Sequence, residues 1–280
     1  MKILYVTDLH GDTNKYNRLF EVARERRVDL VINGGDMLSK SHGELFNQGD
    51  FIEDFLNKHF SLFDSNDIGY LCCLGNDDLR VFDDLFEKTC DKHPFVSNLS
   101  QSGACFLGYE FIGLNLIVDS PFGLKDRCRM DTSEYKFQKQ YRSALLSTPD
   151  GWEELNDWEE YAHTLRTIEE ELSTLVRPND MSKTIYVIHM PPHKIGLDEC
   201  YSGLKVGSKA VYEFLEKNQP FMSLHGHIHE SPEVSEKWHA KIGKTICIQP
   251  GQREDFTYVI IDLDNKSIVR MSEKIDTPYF

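Results

Sequence analysis

The sequence lacks a disulfide framework and any apolar run of membrane-spanning length. Its seven cysteines are an odd number, scattered without a CxxC motif over 280 residues. We therefore expect reduced thiols in a cytoplasmic protein, because disulfide scaffolds belong to oxidising compartments. A membrane span needs about 20 apolar residues, and the N-terminal apolar stretch is too short for a signal peptide. No membrane partner is expected.

Positive charge is also scarce. The chain has 31 Lys and Arg against 46 Asp and Glu, a formal net charge of −15. An acidic surface repels phosphate backbones, which disfavours non-specific nucleic-acid binding. A bound metal centre is locally positive, so this charge is compatible with a small-molecule or nucleotide-like phosphoester substrate. The sequence leaves the oligomeric state open.

Short apolar runs alternate with segments of helical periodicity. Strands are expected at 2–7, 30–33, 70–74, 184–189 and 221–224, a hairpin at 103–118, and three tail strands near 244–249, 256–262 and 267–271. Helices are expected at about 13–27, 44–63, 79–90 and 208–217. This order predicts an α/β fold with a mainly parallel core in one domain, 1–280.

Residues 120–182 differ from the rest of the chain because they are polar and acidic. Apolar residues recur there at three- and four-residue steps from Leu155 to Leu175, which predicts an amphipathic helix of about six turns. We interpret 120–182 as a helical insertion. It either packs on the core as a surface element or caps a pocket, and the sequence does not decide between these.

Five of the predicted strands end in residue types that bind metals. These residues are Asp8 and His10, Asp36, Asn76, His189, and His227 with His229. The carboxyl ends of parallel strands lie side by side, so the side chains should meet. Imidazole and carboxylate bind divalent transition metals, and a shared carboxylate can bridge two of them. Each motif alone is weak, but five in this order predict a dinuclear site.

The five motifs resemble the signature of the calcineurin-like metallophosphoesterases. They read DLH at Asp8, GGD at Asp36, GND at Asn76, IHMPP at His189 and GHIH at His227, against a family pattern of D-x-H, G-D, G-N-H-[DE], H and G-H-x-H. The resemblance runs from residue 3 to about 262. It implies a four-layer α/β/β/α sandwich with two metal ions at the sheet edges.

Carried over residue by residue, the resemblance implies two metal sites. Asp8, His10 and His229 would hold one ion. Asn76, His189 and His227 would hold the other, and Asp36 would bridge both. Two such ions can generate a metal-bridging hydroxide that attacks phosphorus in line. Mn, Fe, Zn, Ni and Co all suit these donors, so the metal identity stays open.

One position departs from the family pattern. Asp77 stands where the family has a histidine near the leaving group. An ionised aspartate cannot donate a proton, and its charge opposes an anionic substrate. A phosphomonoester is a dianion near neutral pH and a diester is a monoanion, so we expect a phosphodiesterase with Asp77 and Asp36 in catalytic roles. An alternative is that Asp77 is held protonated.

Several further residues and functions are candidates. Asn76, His193 and Arg80 are candidate substrate contacts, while His225 should pack or hydrogen-bond behind a ligand. Asp78 is expected to cap the helix at 79–90. A phosphomonoesterase or protein phosphatase of the same fold is the alternative function, favoured by arginines near the site such as Arg127 and Arg129. A non-catalytic scaffold is the third hypothesis, but it would not need all seven ligand residues.

Overall fold

The computed structural model describes residues 1–39 and 45–275. In chain order its strands are β1 Lys2–Val6, β2 Leu30–Asn33, β3 Gly69–Cys72, β4 Val96–Asn98, β5 Gly103–Phe106, β6 Tyr109–Leu114, β7 Ile117–Val118, β8 Cys128–Arg129, β9 Ala144–Thr148, β10 Gly151–Leu155, β11 Thr184–Ile188, β12 Met222–Leu224, β13 His239–Ile242, β14 Thr245–Ile248, β15 Phe256–Asp262 and β16 Ser267–Glu273. Its helices are α1 Thr13–Arg26, α2 Gln48–Asp50, α3 Asn57–Asp64, α4 Asp83–Cys90, α5 Trp158–Ala162, α6 Ile168–Thr174, α7 Lys209–Asn218 and α8 Ser231–Ser235. A π-helix, Phe51–Leu56, joins α2 to α3, and 3₁₀ turns lie at Leu45–Asn47, Arg80–Phe82 and Met181–Lys183.

Two six-stranded sheets carry the site. The first has the order β16–β15–β1–β2–β3–β4, and the second has the order β13–β14–β12–β11–β6–β5. In the first, β1 to β4 are parallel to one another. Strand β15 is antiparallel to β1, and β16 is antiparallel to β15. In the second, β6, β11, β12 and β14 are parallel. The parallel core expected from the sequence is therefore confirmed.

Side chains of each central strand alternate between two cores. In β1, Ile3 and Tyr5 belong to a cluster that also contains Ile185 and Val187 of β11, so this cluster lies between the sheets. The opposite face of β1 packs against helix residues such as Tyr16. A third cluster covers the outer face of the second sheet. Such alternation buries a strand on both faces, and the result is the expected order of helices, sheet, sheet and helices.

The single helix expected from Leu155 to Leu175 is wrong. Leu155 ends strand β10, and the rest of the stretch holds two short helices, α5 and α6. Helix α6 begins afresh because Thr167 and Glu170 form a capping box, each bonding the other's backbone N–H. Residues 120–182 thus combine a hairpin, β9–β10, with short helices instead of forming a mainly helical insertion.

The observed bounds of other elements differ from the expected bounds by a few residues. The helix expected at 44–63 is a 3₁₀ turn followed by α2, the π-helix and α3, and its expected start at residue 44 lies outside the described residues. The helix expected at 79–90 begins only at Asp83, after a 3₁₀ turn. The hairpin at 103–118 is confirmed as β5–β6. Across 1–39 and 45–275, no helix has the length and apolar character needed to span a membrane.

Candidate metal centre

The structure brings the strand-end residues together at one edge of the two sheets. Asp8 and His10 follow β1, Asp36 follows β2, His189 follows β11, and His229 follows β12. Asp8, His10, Asp36 and His229 form one group that could hold an ion, with one ligand atom of each within 4.8 Å of the others. A second group consists of Asp36, His189 and His227. Asp36 belongs to both groups.

The donor atoms of the first group lie close enough together to bind one metal ion. His229 Nε2 lies 3.4 Å from Asp8 Oδ1, and His10 Nε2 lies 3.9 Å from Asp36 Oδ2. The Nε2 atoms of His10 and His229 are 3.1 Å apart. Two imidazole nitrogens and two carboxylates converge, a donor set that suits a divalent transition metal.

The second group includes Asn76 as well. His189 Nε2 lies 3.5 Å from Asp36 Oδ2 and 3.1 Å from Asn76 Oδ1. The other ring nitrogen of His189, Nδ1, lies 2.9 Å from the carbonyl oxygen of Gly34. Donation from Nδ1 to that carbonyl fixes the tautomer of the neutral ring, in which the Nε2 lone pair is directed into the group, as in metal-binding histidines generally.

Four of these residues have a left-handed backbone. The φ angles are 59° at Asp8, 46° at His10, 49° at Asp36 and 70° at His227. A non-glycine residue in this region costs of order 1–3 kcal/mol. Backbone hydrogen bonds hold the loops in place, from Asp8 N to Gly35 O and from His10 N to Asp36 O, both 2.9 Å. The loops after β1 and β2 therefore support each other.

Two glycines allow the loops to approach closely. A Cβ atom on Gly75 would lie 2.2 Å from both the N and Oδ1 atoms of Asp36. A Cβ atom on Gly226 would lie 2.1 Å from Thr7 Oγ1 and 2.7 Å from Asp8 Oδ2. The glycines of the GND and GHIH motifs are thus required by space, because any side chain would displace a carboxylate of the centre.

Electrostatics at the centre favour a cation. Burial alone would raise the pKa of Asp8 and Asp36, but nearby histidines outweigh it and hold both pKa values below the usual range. Burial opposes the charged form of His189, yet Asp36 and Asp8 raise its pKa to about 9. Burial together with His189 lowers the pKa of His227 to about 3, so this ring stays neutral. The group stabilises added positive charge, as a metal site must.

Asp77 faces the centre as a hydrogen-bond acceptor. Its Oδ1 accepts from Asn76 Nδ2 at 2.9 Å, and its Oδ2 lies 3.9 Å from His10 Nδ1. Its backbone N–H donates to Asp36 Oδ1 at 2.8 Å. By accepting from the Asn76 amide nitrogen, Asp77 directs the Asn76 oxygen toward His189. The bond suits an ionised carboxylate.

Asp78 holds two loops together and does not cap a helix, so its expected role as a helix cap is wrong. Its buried carboxylate accepts from the backbone N–H groups of Met37, Leu38 and Gly75 at 2.9, 2.7 and 2.7 Å. Burial, with a smaller contribution from Asp36, raises its pKa to about 7. Asp78 ties the loop after β2 to the loop after β3. The helix that it was expected to cap begins at Asp83, beyond a 3₁₀ turn.

Buried Gln48 supports the same loop, and sequence reasoning missed it. Its side chain donates to Asp77 O at 2.9 Å and accepts from Leu79 N at 2.8 Å. No motif contains Gln48, which begins α2. Only its placement in three dimensions reveals the contact.

His225 is buried behind the centre, as expected for a packing residue. Its Nδ1 lies 2.9 Å from Ile188 O and 3.1 Å from Met190 O. These carbonyls flank His189, so His225 braces the segment that carries this candidate ligand. Its burial lowers the pKa to about 4, which keeps the ring neutral.

The three candidate arginines do not share one role. Arg127 is buried, and it donates to Gly75 O at 2.8 Å and to Asp83 Oδ1 at 2.5 Å. Arg129 donates to Cys128 O at 2.7 Å. Arg80 is exposed, and its backbone N–H donates to Asp126. Arg127 is therefore committed to holding the loop that carries Asn76, while Arg80 has a side chain at the surface.

His193 lies four residues beyond His189 and pairs with a buried acid. Its Nδ1 is 3.4 Å from Asp198 Oδ2. Asp198 is fully buried, whereas the His193 side chain is 37% exposed. Sequence reasoning named His193 but missed Asp198, because the acid follows after an irregular loop with no periodic signal.

Comparison with known proteins assigns the family. The family model for calcineurin-like phosphoesterases matches residues 1–231. A search of curated proteins gives no match. The chain belongs to the calcineurin-like phosphoesterase family, and members of this family are metal-dependent phosphohydrolases.

Solved structures share the fold at low identity. One crystal structure has a TM-score of 0.62 and 18% identity, covering 97% of this chain and 98% of that chain. The protein TT1561 of Thermus thermophilus has a TM-score of 0.57 and 15% identity, covering 97% and 98%. A dimetal phosphatase from Danio rerio has a TM-score of 0.52 and 12% identity, covering 98% and 96%. At these identities the likeness concerns the fold.

The metallophosphoesterase fold expected from the motifs is therefore confirmed. The family implies divalent metal ions, and the described residues contain two candidate ligand groups that share one carboxylate. The donor chemistry, the inward-directed Nε2 of His189 and the favourable electrostatics for a cation all fit such ions.

Proposed function

We propose that the chain is a dinuclear metal-dependent phosphodiesterase. The observation that carries the proposal is Asp36, whose carboxylate belongs to both ligand groups. Asp8, His10 and His229 would bind one ion, and Asn76, His189 and His227 the other, with Asp36 between them. The Danio rerio protein of similar fold is described as a dimetal phosphatase, which supports two ions over one.

The chain's own residues would prepare the reaction in defined ways. When bound, two divalent ions supply positive charge for the phosphoryl oxygens and acidify the attacking water. Asp36 would fix their separation, since its carboxylate can reach both. Asp77 would hold the Asn76 amide in register through the 2.9 Å bond between Asn76 Nδ2 and Asp77 Oδ1.

The preference for diesters rests on charge. The Asp8, Asp36 and Asp77 carboxylates surround the centre, and only the last is placed where it can face the substrate, with 33% of its side chain exposed. A carboxylate near the substrate repels a dianionic monoester more than a monoanionic diester. Asp77 therefore supports phosphodiesterase activity over phosphomonoesterase activity.

Substitution of Asp77 tests this preference. The manganese-loaded protein should hydrolyse methyl p-nitrophenyl phosphate faster than p-nitrophenyl phosphate. Asp77→His should raise the ratio of monoester to diester kcat/KM by about 10-fold or more, since it removes a negative charge beside the substrate and can place a positive one there. The release of p-nitrophenol measures both rates.

The matched control is Asp77→Asn, which removes the negative charge without adding a positive one. It should also raise the monoester-to-diester ratio, by less than Asp77→His. A wild-type protein that prefers the monoester would end the phosphodiesterase proposal. A wild-type protein that binds no transition metal and hydrolyses neither compound would favour the non-catalytic scaffold.

Two further proposals concern the surroundings of the site. We propose that 1–280 acts as one domain in which residues 120–182 border the substrate pocket. The contacts of Arg127 with Gly75 O and of Asp126 with Arg80 N support this placement beside the loop after β3. We also propose a reducing, cytoplasmic location, supported by seven free cysteines, five of them buried.

A further inference from the structure

The active site proposed above has no proton donor at the family's usual position. Asp77 stands there, and its carboxylate accepts a hydrogen bond from Asn76 Nδ2. A departing alkoxide still needs a proton, because an unassisted alkoxide is a poor leaving group. General-acid assistance is worth about 10²–10⁴-fold, so another donor on the same edge of the sheets would matter.

His193 and Asp198 form a hydrogen-bonded pair on that edge of the sheets. The Asp198 carboxylate is fully buried, and its Oδ2 lies 3.4 Å from His193 Nδ1. Its other oxygen, Oδ1, has no hydrogen-bond partner among residues 1–39 and 45–275. A buried acid with unmet acceptor capacity stabilises a positive charge beside it. The adjacent imidazole is the group that can carry this charge.

The loop around the pair is shaped for close approach. Gly207 N donates to Asp198 Oδ2 at 2.9 Å, and His193 N donates to Ser208 O at 3.0 Å. A Cβ atom on Gly207 would lie 2.8 Å from Asp198 Oδ2 and also 2.8 Å from His193 N. Glycine at 207 is thus needed for the histidine and the acid to share one small space.

The location of the loop connects it to both ligand groups. His193 follows His189 by four residues as the chain leaves β11. Further along the loop, Glu199 N donates to Ser231 Oγ at 3.1 Å, and Ser231 begins α8, two residues after His229. The loop 193–207 therefore extends from the segment after one predicted ligand to the helix after another.

We propose that His193, oriented by Asp198, is the general acid of this phosphoesterase. With Nδ1 engaged by Asp198, Nε2 is the nitrogen left to act on a substrate, and only the doubly protonated ring donates from it. The attacking water forms the new P–O bond and releases its proton to solvent. The P–O bond to the leaving group breaks, its electron pair stays on that oxygen, and the oxygen takes the Nε2 proton. Solvent then reprotonates His193. The inference rests on the proposed function.

Leaving-group dependence tests this role. Methyl p-nitrophenyl phosphate and methyl phenyl phosphate carry the same charge, but only the second needs protonation of its leaving group. His193→Gln should lower kcat for the phenyl diester by about 10²-fold or more and change kcat for the nitrophenyl diester by only a few fold. Asp198→Asn should have the same selective effect, to a smaller extent. Metal content, measured by mass spectrometry, should stay at the wild-type level in both variants.

The control is His239→Gln, which changes an exposed histidine on β13 and should leave both rates unchanged. Equal losses on both diesters would overturn the acid role and leave the phosphodiesterase proposal standing. An unchanged phenyl diester rate in His193→Gln would do the same, as would a wild-type protein that turns over only the nitrophenyl diester. A wild-type protein that hydrolyses neither diester would remove the proposed function and the inference with it.

Discussion

Histidine is used in two opposite ways in this chain. At the centre, carboxylates surround His189 and raise its pKa to about 9. In α3, His59 lies in an aromatic cluster instead, with ring centroids 5.1 Å from Tyr16 and 5.0 Å from Phe63. Neither of its ring nitrogens has a hydrogen-bond partner among the described residues. Burial lowers the pKa of His59 to about 3, so this histidine is packed as a neutral ring.

His59 should make the protein acid-sensitive. Its folded pKa of about 3 lies below the value of about 6.5 in an unfolded chain. The unfolded state therefore binds more protons between these values, and stability falls as the pH drops below about 6.5. Between pH 7 and pH 5, the free energy of unfolding should fall by about 2 kcal/mol less in His59→Phe than in wild type. Urea unfolding at the two pH values measures this.

The matched variant His239→Phe alters an exposed histidine on β13. It should show the same loss of stability between pH 7 and pH 5 as wild type. If His59→Phe also loses as much as wild type, protonation of His59 does not drive the acid sensitivity.

At the scale of the element, the site is a set of loops held by glycines and hydrogen bonds at strand ends. The loop after β12 approaches β1 so closely that Gly226 has no room for a side chain. Tyr5 of β1 adds a second link, since its hydroxyl donates to His225 O at 2.7 Å. The two sheets are thereby joined at the edge that carries the ligands, as well as through their common core.

Enlarging Gly226 should weaken metal binding. In Gly226→Ala the added methyl group would lie 2.7 Å from Asp8 Oδ2, so the carboxylate or the loop must move. Changes in groups that position ligands typically cost about 10–100-fold in metal affinity, and we expect a loss of this size for Mn²⁺. Calorimetric titration of the metal-free protein measures it.

Gly103→Ala is the control for this change. Gly103 is an exposed residue of β5, where a Cβ atom would meet only Phe111 O at 3.3 Å and Ile112 Cγ1 at 3.7 Å. It should bind Mn²⁺ like wild type. Equal affinity in Gly226→Ala would show that the loop can shift without cost.

Sequence reasoning used strand ends to locate the candidate ligands and periodicity to locate the helices, and these two signals differed in success. Strand ends predicted where the candidate ligands lie, because parallel β1, β2 and β3 must place their carboxyl ends together. The helix expected over 155–175 failed, because three- and four-residue periodicity does not reveal the interruption that the Thr167 capping box imposes. Strand β13 and residue Asp198 were missed because polar loops and edge strands carry no periodic signal.

At the scale of the whole molecule, the centre links distant parts of the chain. A carboxylate oxygen of Asp8 and one of Asp36 lie within 4.8 Å of each other in a buried space, where the neighbouring histidines outweigh the repulsion between the two charges. A bound ion removes this repulsion only in the folded state, because the unfolded chain does not bring the ligands together. Metal binding is therefore coupled to the stability of the whole fold.

Metal removal should lower the melting temperature. A ligand at 100 times its Kd stabilises the folded state by about 2.7 kcal/mol. For 280 residues, an unfolding entropy of about 2.1 cal/mol/K per residue makes this a shift of about 5 °C. Differential scanning calorimetry of chelator-treated protein, with and without added Mn²⁺, measures the shift. Asp36→Asn serves as the control and should respond to Mn²⁺ much less, and a wild-type melting temperature indifferent to Mn²⁺ would contradict the coupling.

The antiparallel pairing of β1 with β15 joins Lys2 to Asp262. During synthesis, both edges of β1 are therefore hydrogen-bonded only after β15 has left the ribosome. Likewise, Asp8 can meet His229 only after the segment with His229 has emerged. Domains generally fold as units, and the cation site assembles only after the segment carrying His229 has emerged. Maturation with metal is therefore one of the later events in the folding of each new chain.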